Sequence, residues 1–565
     1  MSIPDIDEFP EFEERADYIS KDDLNSWTVE NDFFNKIQKK IFEKGSKLIV
    51  GPRGTGKTHQ LKHAYYKCLE SKVLPLAIYV SFGKYYRLEP LLFKSSNAMN
   101  IFHAWVLAKI VWSCYELLEV KHLPENTLLY SDILTKTNLD SFIQTAERYD
   151  SIPEFDDLIK FISIQKIIEI LNQLSDLLNK KRTIVLLDDA ALTLTPDYMI
   201  EFFDIFRSLK TSNISPKASV YPGTTEYGPR FHIGQDAEEV SVWLNVDTDS
   251  YSQFMATLVK KRFNENIDIS EDIIELFKYA AFGIPRAFIG LLRDFMDSSG
   301  SSTQQKFNTI INNRINQLKD EYSSLTLKLP QYNSIINIGY ELFTNILSEI
   351  LAAQDKNSLE KQVNMGILIE DTQAYRENRM IKFLIEAGLL YPTTELHDGP
   401  GRIFKRYIPH FSFLIQNRTF STSRGFNIKD ILTQISKKTN KRPIRKKFST
   451  LLNEEQLANV KLDLPPCSKC GTTRLTEEQK FCHNCGNPLI GQSAFESCLQ
   501  IQISALPISN WLKETIKNET PFNTIEDIFV SQSPIAELKK AKGIGTIRSN
   551  KVMNVINSIL DEFLS

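Results

Sequence analysis

Apolar positions change their spacing several times along the chain, and each change predicts an element. Lys47 to Val50 is a short apolar run closed by Gly51, which reads as a strand. Leu61, Ala64, Tyr65, Cys68 and Leu69 then follow at helical spacing, an amphipathic helix. A second strand is predicted at "LPLAIYVSF" (74–82), before a long, mainly helical stretch to about residue 180. "RTIVLLDDA" (182–190) is an apolar run ending in acids, the form of a parallel strand buried on both faces. Two further buried strands are predicted at 218–228, ending in Thr224 and Thr225, and at 239–246.

Downstream the pattern is helical. In "FKYAAFGIPRAFIGLL" (277–292) a helix starts around Gly283 and Pro285, with Arg286 in its first turn. A helix carrying Ile381, Leu384 and Leu389 gives way to two extended runs joined by His-Asp-Gly-Pro-Gly. Helix followed by hairpin is the sequence shape of a winged helix. Near the C-terminus, two helices within 534–556 are joined by Gly543-Ile544-Gly545, with Leu538, Ala541, Val552 and Ile556 turned inward.

Composition adds limits. The 565 residues allow three or four domains, and 42% apolar with 24% charged content is ordinary for a globular chain. The net charge of −3 places any basic surface locally. No run approaching the ~18 apolar residues of a membrane span is evident. The first seventeen residues carry seven acids against one Arg, the opposite of a signal peptide, so a cytoplasmic chain without a membrane partner is expected. Four of the seven cysteines form one tight cluster, which in a reducing compartment suggests metal. Cys68, Cys114 and Cys498 are isolated and read as small apolar residues.

Chemistry is densest at residues 51–58, where Gly51, Pro52, Arg53, Gly54, Thr55, Gly56, Lys57 and Thr58 complete the pattern G-x-x-x-x-G-K-[ST]. The glycines allow a tight turn whose amides face phosphate oxygens. Lys57 reaches the outer phosphates of ATP, and Thr58 offers its hydroxyl to Mg²⁺. Asp188, at the edge of the third predicted strand, would hold Mg²⁺ through water, and Asp189 would orient the attacking water.

On these motifs the chain resembles an AAA+ ATPase of the branch holding origin-recognition initiators and STAND-type signalling ATPases. The resemblance covers residues of about 25–320. It implies that Asp188 and Asp189 are the Walker B pair, although the family usually has Glu second, which bears on hydrolysis rather than binding. It implies sensor 1 at Thr224 or Thr225, sensor 2 at Arg286, and an arginine finger at Arg230 that completes a neighbouring subunit's site; Arg230 also reads as an ordinary surface Arg. Thr58 and Asp188 stand 130 positions apart, about twice the family spacing, so a helical insertion near 95–180 is expected, with Phe102, Trp105 and Trp112 as extra core or subunit contact.

The expected fold class is multidomain. It comprises an acidic segment 1–24, an α/β P-loop (AAA+) core 25–246, a helical lid 247–325 and a winged-helix-like domain 330–417. A basic linker 418–462, a zinc ribbon 463–492 and a small α-helical hairpin domain 500–565 complete it. Arg402, Lys405 and Arg406 on the second hairpin strand are candidates to lean on phosphates. Residues 418–447 hold ten Lys or Arg against one Asp, attractive to a polyanion and equally suited to a solvated tether. Cys467, Cys470, Cys482 and Cys485 form two C-x-x-C knuckles, a four-thiolate set for structural Zn²⁺ with no position left for water; His483 is read as no ligand. Gly543 to Gly545 look like a helix-hairpin-helix turn, in which Lys542, Gly543, Ile544, Gly545, Arg548 and Lys551 would contact a DNA phosphate. The same segment also reads as a Gly-capped helical hairpin.

Two functions follow from these readings. One is an ATP-driven, self-associating protein that grips the DNA backbone and uses the nucleotide as switch or slow motor in replication, repair or antiviral defence. The other is a STAND-like signalling ATPase whose tail modules bind a protein or sense a trigger. An effector protein encoded nearby is a candidate partner for either.

Overall fold

The structure, a computed structural model, describes residues 19–564 except 84–87, 89–96, 129–131, 149–154, 190–195, 226, 264–268, 299–301, 358–364, 372–373, 400–401, 421–426, 438–443, 468, 476–478, 480, 488, 490–498, 500, 507 and 532. Most of the acidic segment (1–18), the expected hairpin tip at 400–401, the basic run 438–443 and Cys498 therefore lie outside the described residues.

Five parallel strands form the first sheet: β1 (Lys47–Val50), β2 (Leu76–Ser81), β3 (Thr183–Asp188), β4 (Ile214–Val220) and β5 (Glu238–Ser241). Their order is β2-β3-β4-β1-β5, so β4 lies between the strand that leads into the P-loop and the strand that ends in Asp188. β3 is buried at all six positions, as a strand covered on both faces should be. β4 starts four residues before the predicted run and ends at Val220, so the chain has already turned before Thr224. Pro216 and Lys217 hide the strand from an apolar pattern. Lys217 is fully buried because its ammonium donates to the carbonyls of Glu43 and Gly45. β5 is also shorter than predicted: Trp243, Leu244 and Val246 leave the sheet and join the core of the following helices.

Between β2 and β3 the described residues form the helices Ala98–Val120, Lys136–Arg148, Asp156–Phe161 and Ile164–Leu177. Ala98–Val120 is apolar all round, and by length and composition it could cross a membrane, a run the sequence reading passed over. It is instead the core of this layer, with 78% of its most apolar window buried. Phe102 stacks on Tyr198 at 4.2 Å, and Trp105 meets Phe82 at 5.6 Å.

The second sheet holds β6 (Ile367–Glu370), β7 (Leu390–His397), β8 (Ile403–Pro409) and β9 (Ile444–Lys446) in the order β7-β8-β6-β9. The helix Tyr375–Glu386 leads into the antiparallel β7–β8 hairpin. Two expectations are corrected here. Arg406 does not reach outward, because its strand is interior to the sheet and its guanidinium pairs with Asp247 at 2.8 Å; Lys405 is taken by Asp371 at 3.1 Å. The described residues of the stretch expected as a linker are folded: they supply the helix Ile428–Ser436 and β9, which runs parallel to β6. Ile431, Phe448 and Leu451 belong to the same buried cluster as Phe282, Phe383 and Ile408. The segments expected as lid, winged-helix-like domain and linker thus share one core.

The lid turn at Gly283 locks that core to the first sheet. Gly283 has φ +78°, and a Cβ there would lie 2.1 Å from the Leu244 carbonyl oxygen. Its amide donates to the Tyr251 hydroxyl at 2.9 Å, while the Trp243 indole donates to the Phe282 carbonyl at 2.8 Å. Gly283→Ala is expected to cost about 3 kcal/mol or more in denaturant unfolding. Gly45→Ala, at φ +84° with open space around its Cβ, should cost only about 1–2 kcal/mol. Equal losses would mean that backbone conformation alone, and not the approach to Leu244, sets the cost.

Candidate nucleotide site

The loop leaving β1 closes on the helix Lys57–Glu70, whose N-cap Gly56 has φ +93°. Thr55 Oγ1 donates to the Pro52 carbonyl at 2.8 Å and braces the turn. Lys57 is buried. Its ammonium donates to the carbonyls of Gly51 at 2.7 Å and Pro52 at 3.2 Å and sits 3.8 Å from the centre of the Tyr221 ring. Burial pulls its pKa down to about 7, against the opposing pull of Asp189, Asp188 and Glu386. Thr58 follows in the first helical turn, half-buried, and Arg53 is exposed at the loop's outer edge.

Across β4 from this loop, Asp188 is 1% exposed and fully engaged. Its Oδ1 accepts from the Ser219 hydroxyl at 2.8 Å and its Oδ2 from the Tyr79 hydroxyl at 2.8 Å. Asp189 lies in the left-handed region at φ +52°, its amide donating to Ser219 Oγ at 2.8 Å. Ser219 and Tyr79 were missed in the sequence because each sits on a different strand from the acid it orients. Ser219 was findable: it precedes the last residue of the strand that topology inserts between loop and acid.

The lid reaches the loop directly. A Cβ on Gly54, whose φ is +79°, would lie 2.9 Å from both Arg286 Cβ and Ile284 Cγ2. The Arg286 amide donates to the Gly54 carbonyl at 3.4 Å. Arg53, Tyr221, Arg286, Arg314, Lys328 and Glu386 line a cavity of about 650 Å³ between the loop and the lid. Thr224 and Thr225 are buried; the Thr225 hydroxyl accepts from the Tyr221 amide at 3.1 Å, and Thr224 is held by Glu386. Arg230 stands apart, its side chain 74% exposed and 3.6 Å from Asp204.

A parallel sheet with a P-loop after one strand, an acid at the edge of another and an arginine-bearing helical lid on the loop define a P-loop ATPase core. Residues 11–96, which include the loop, match the family described as ORC-CDC6-like. That agrees with the resemblance to origin-recognition AAA+ proteins. The chain is similar to three solved structures. One is the Walker-type ATPase of Pyrococcus abyssi (14% identity, 68% of this chain, 94% of that chain, TM-score 0.35). The others are the Aeropyrum pernix ORC1 protein in complex with DNA (13%, 72%, 91%, 0.28) and the Aeropyrum pernix ORC2 protein in ADPNP–ADP complexes (12%, 76%, 99%, 0.30). No curated protein matches the chain.

Towards the C-terminus, the sulfur atoms of Cys467, Cys470, Cys482 and Cys485 all lie within 4.8 Å of one another. The pairs Cys467–Cys485 and Cys470–Cys482 are 3.5 Å apart. Zn–S bonds of about 2.3 Å in a tetrahedron need sulfurs roughly 3.8 Å apart, so the set fits the ion. The two knuckles repeat one geometry: the Gly471 amide donates to the Cys467 carbonyl at 2.8 Å, and the Gly486 amide to the Cys482 carbonyl at 2.9 Å.

In the last segment, Gly543, Ile544 and Gly545 join the helices Pro534–Leu538 and Thr546–Leu564. Ile544 and Ser549 are buried, while Lys542, Arg548 and Lys551 are exposed. The Lys542 amide is not open, since it donates to Glu519 Oε2 at 2.6 Å, and Arg548 donates to the Gly543 carbonyl at 2.6 Å. Elemental analysis is expected to find one zinc ion per chain, lost in Cys482→Ser. Chelation should unfold the ribbon and leave ATP binding intact. Zinc-free protein with unchanged ribbon NMR signals would overturn the metal assignment.

Proposed function

We propose that the chain binds ATP and Mg²⁺ between the P-loop and the edge of β3, hydrolyses the nucleotide slowly, and uses it to control assembly on DNA. The observation that carries this reading is that the lid segment brings Arg286 onto the phosphate loop at Gly54, while Asp188 and Asp189 lie within charge reach of Lys57. These groups come from three separate segments, and a triphosphate is the ligand proposed to lie between them. In this reading the loop amides and Lys57 bind the phosphates, Thr58 and Asp188 hold Mg²⁺, and Asp189 orients water. Arg286 senses the outer phosphate from the lid. Asp189 is one methylene shorter than the glutamate common at this position, which favours slow turnover. Arg230, exposed and beside Asp204, would complete the site of a neighbouring copy.

DNA contact is assigned to the C-terminal modules. The hairpin turn at Gly543–Gly545 lies among Lys539, Lys540, Lys542, Arg548 and Lys551, all exposed, while its Ile544 amide donates to the Ala541 carbonyl at 3.1 Å. No base-reading element accompanies them, so contact is with the phosphate backbone. A phosphate there would displace Glu519 from the Lys542 amide. The setting proposed is cytoplasmic.

Lys57→Ala and Arg286→Ala are each expected to lower ATP hydrolysis about a hundredfold. Affinity for random duplex should fall roughly fortyfold from about 50 to about 200 mM salt if three phosphates are neutralised. Bulky residues at Gly543 and Gly545 should weaken DNA binding and spare hydrolysis. Absence of duplex binding at low salt would remove DNA from the proposal, and loss of hydrolysis in the hairpin variants would show that the turn is fold-critical.

A further inference from the structure

Neither the P-loop, the lid nor the acidic strand accounts for Glu386. It ends the helix Tyr375–Glu386 and lies 162 positions beyond Thr224, the residue it holds. Its Oε1 accepts from Thr224 Oγ1 at 3.0 Å, and its Oε2 accepts from the Thr224 amide. Arg379 of the same helix donates to the Thr224 carbonyl at 3.5 Å. All three polar groups of Thr224 are therefore engaged by one helix of the second-sheet region. The approach leaves no room for a side chain next door: a Cβ on Gly223 would lie 2.5 Å from Glu386 Oε2 and 2.6 Å from the Lys382 carbonyl oxygen. Glu386 also lines the cleft that Arg53 and Arg286 line, and its charge bears on Lys57.

We propose that Glu386 is a nucleotide-sensing latch, which holds Thr224 until the outermost phosphate of ATP takes that hydroxyl. The inference rests on the nucleotide reading above. A hydroxyl has one proton to donate, so Thr224 serves either the carboxylate or a phosphate oxygen. A γ-phosphate brought to Thr224 also repels the carboxylate at short range in a partly desolvated cleft. ADP lacks that group and leaves the latch shut. ATP thus gains a differential interaction with the open state, as any ligand that shifts a conformational equilibrium must. Opening releases the C-terminal end of the helix Tyr375–Glu386 from Thr224, and because that end runs almost directly into β7 it transmits the nucleotide state to the second sheet. Glu386 is a positioning residue in this scheme, because it acts through Thr224.

The test compares Glu386→Gln with the unaltered chain in Mg²⁺ titrations of ATP and ADP. Glutamine keeps the size and an acceptor for the Thr224 amide but removes the charge. The preference for ATP over ADP is expected to rise about tenfold in the variant. In the unaltered chain, hydrogen exchange over 221–225 and 375–386 should rise with a non-hydrolysable ATP analogue and not with ADP. That measurement decides the matter without any variant. Unchanged exchange with the analogue, or a preference unchanged in a folded variant, overturns the latch and leaves the nucleotide reading standing. Uptake of neither nucleotide by the unaltered chain overturns both.

Discussion

Where Ile284 and Arg286 press on Gly54, the phosphate loop and the helical lid come closer than any side chain on Gly54 would permit. The chain beyond this contact is fixed at both ends. Upstream, Gly54 belongs to a turn braced by Thr55 and Lys57. Downstream, Gly283 is pinned between Leu244 and the Tyr251 hydroxyl. Phe282, beside it, packs on Trp243, Tyr391 and His410, the last two from the second-sheet region. A change in the loop cannot be absorbed locally, because the turn that touches it is part of the core that carries the second sheet.

Charge in the cleft is balanced in a way that suits a polyphosphate. Arg53, Arg286, Arg293, Arg314 and Lys328 share the cleft lining with Asp294, Asp320, Glu321 and Glu386, and Lys57 lies within charge reach of Asp189, Asp188 and Glu386. Asp188 is held by Tyr79 and Ser219, so it is already oriented. Burial pushes the Glu386 carboxyl above the usual range, while its bonds from Thr224 favour the charged form. Incoming phosphates would strengthen the charged state of Lys57 and disfavour that of Glu386. The two groups respond in opposite senses to the same ligand.

What the sequence reveals about this site is what can be read locally. The P-loop, the run "TIVLLDD", Gly283 to Arg286 and the paired C-x-x-C knuckles each hold their meaning within a few residues, and the structure brings the first and third into direct contact at Gly54. Tyr79, Ser219 and Glu386 acquire meaning only through pairings across strands or across 162 positions, which no local pattern encodes. β4 was half legible: Ala218 to Val220 reads as a strand, but Pro216 and Lys217 break the apolar run. The cost of burying Lys217 is met by backbone carbonyls at Glu43 and Gly45, invisible in a one-dimensional pattern. The stretch before the four-cysteine cluster misled for the opposite reason. Its ten cations suggest a tether, yet Ile431 and Ile435 on one helix and Phe448 and Leu451 on another are all buried in the shared core.

The same tertiary bookkeeping narrows where a polyanion could dock. Several cations are consumed internally: Lys217 by carbonyls, Arg406 by Asp247, Arg262 over the Trp27 ring at 3.9 Å. Lys405, on the strand whose charges first suggested phosphate contact, is shared between Asp371 and Glu395. Around the Gly543 turn Arg548 is engaged in the same way, over the Trp511 ring at 4.8 Å and on the Gly543 carbonyl, but Lys539, Lys540, Lys542 and Lys551 are exposed. Counterion release rewards cations that keep their own solvent shell until a phosphate arrives, and discounts those already paired. On that ground the exposed lysines of the C-terminal turn are better placed to meet an anion than Lys405 and Arg406 of the second sheet.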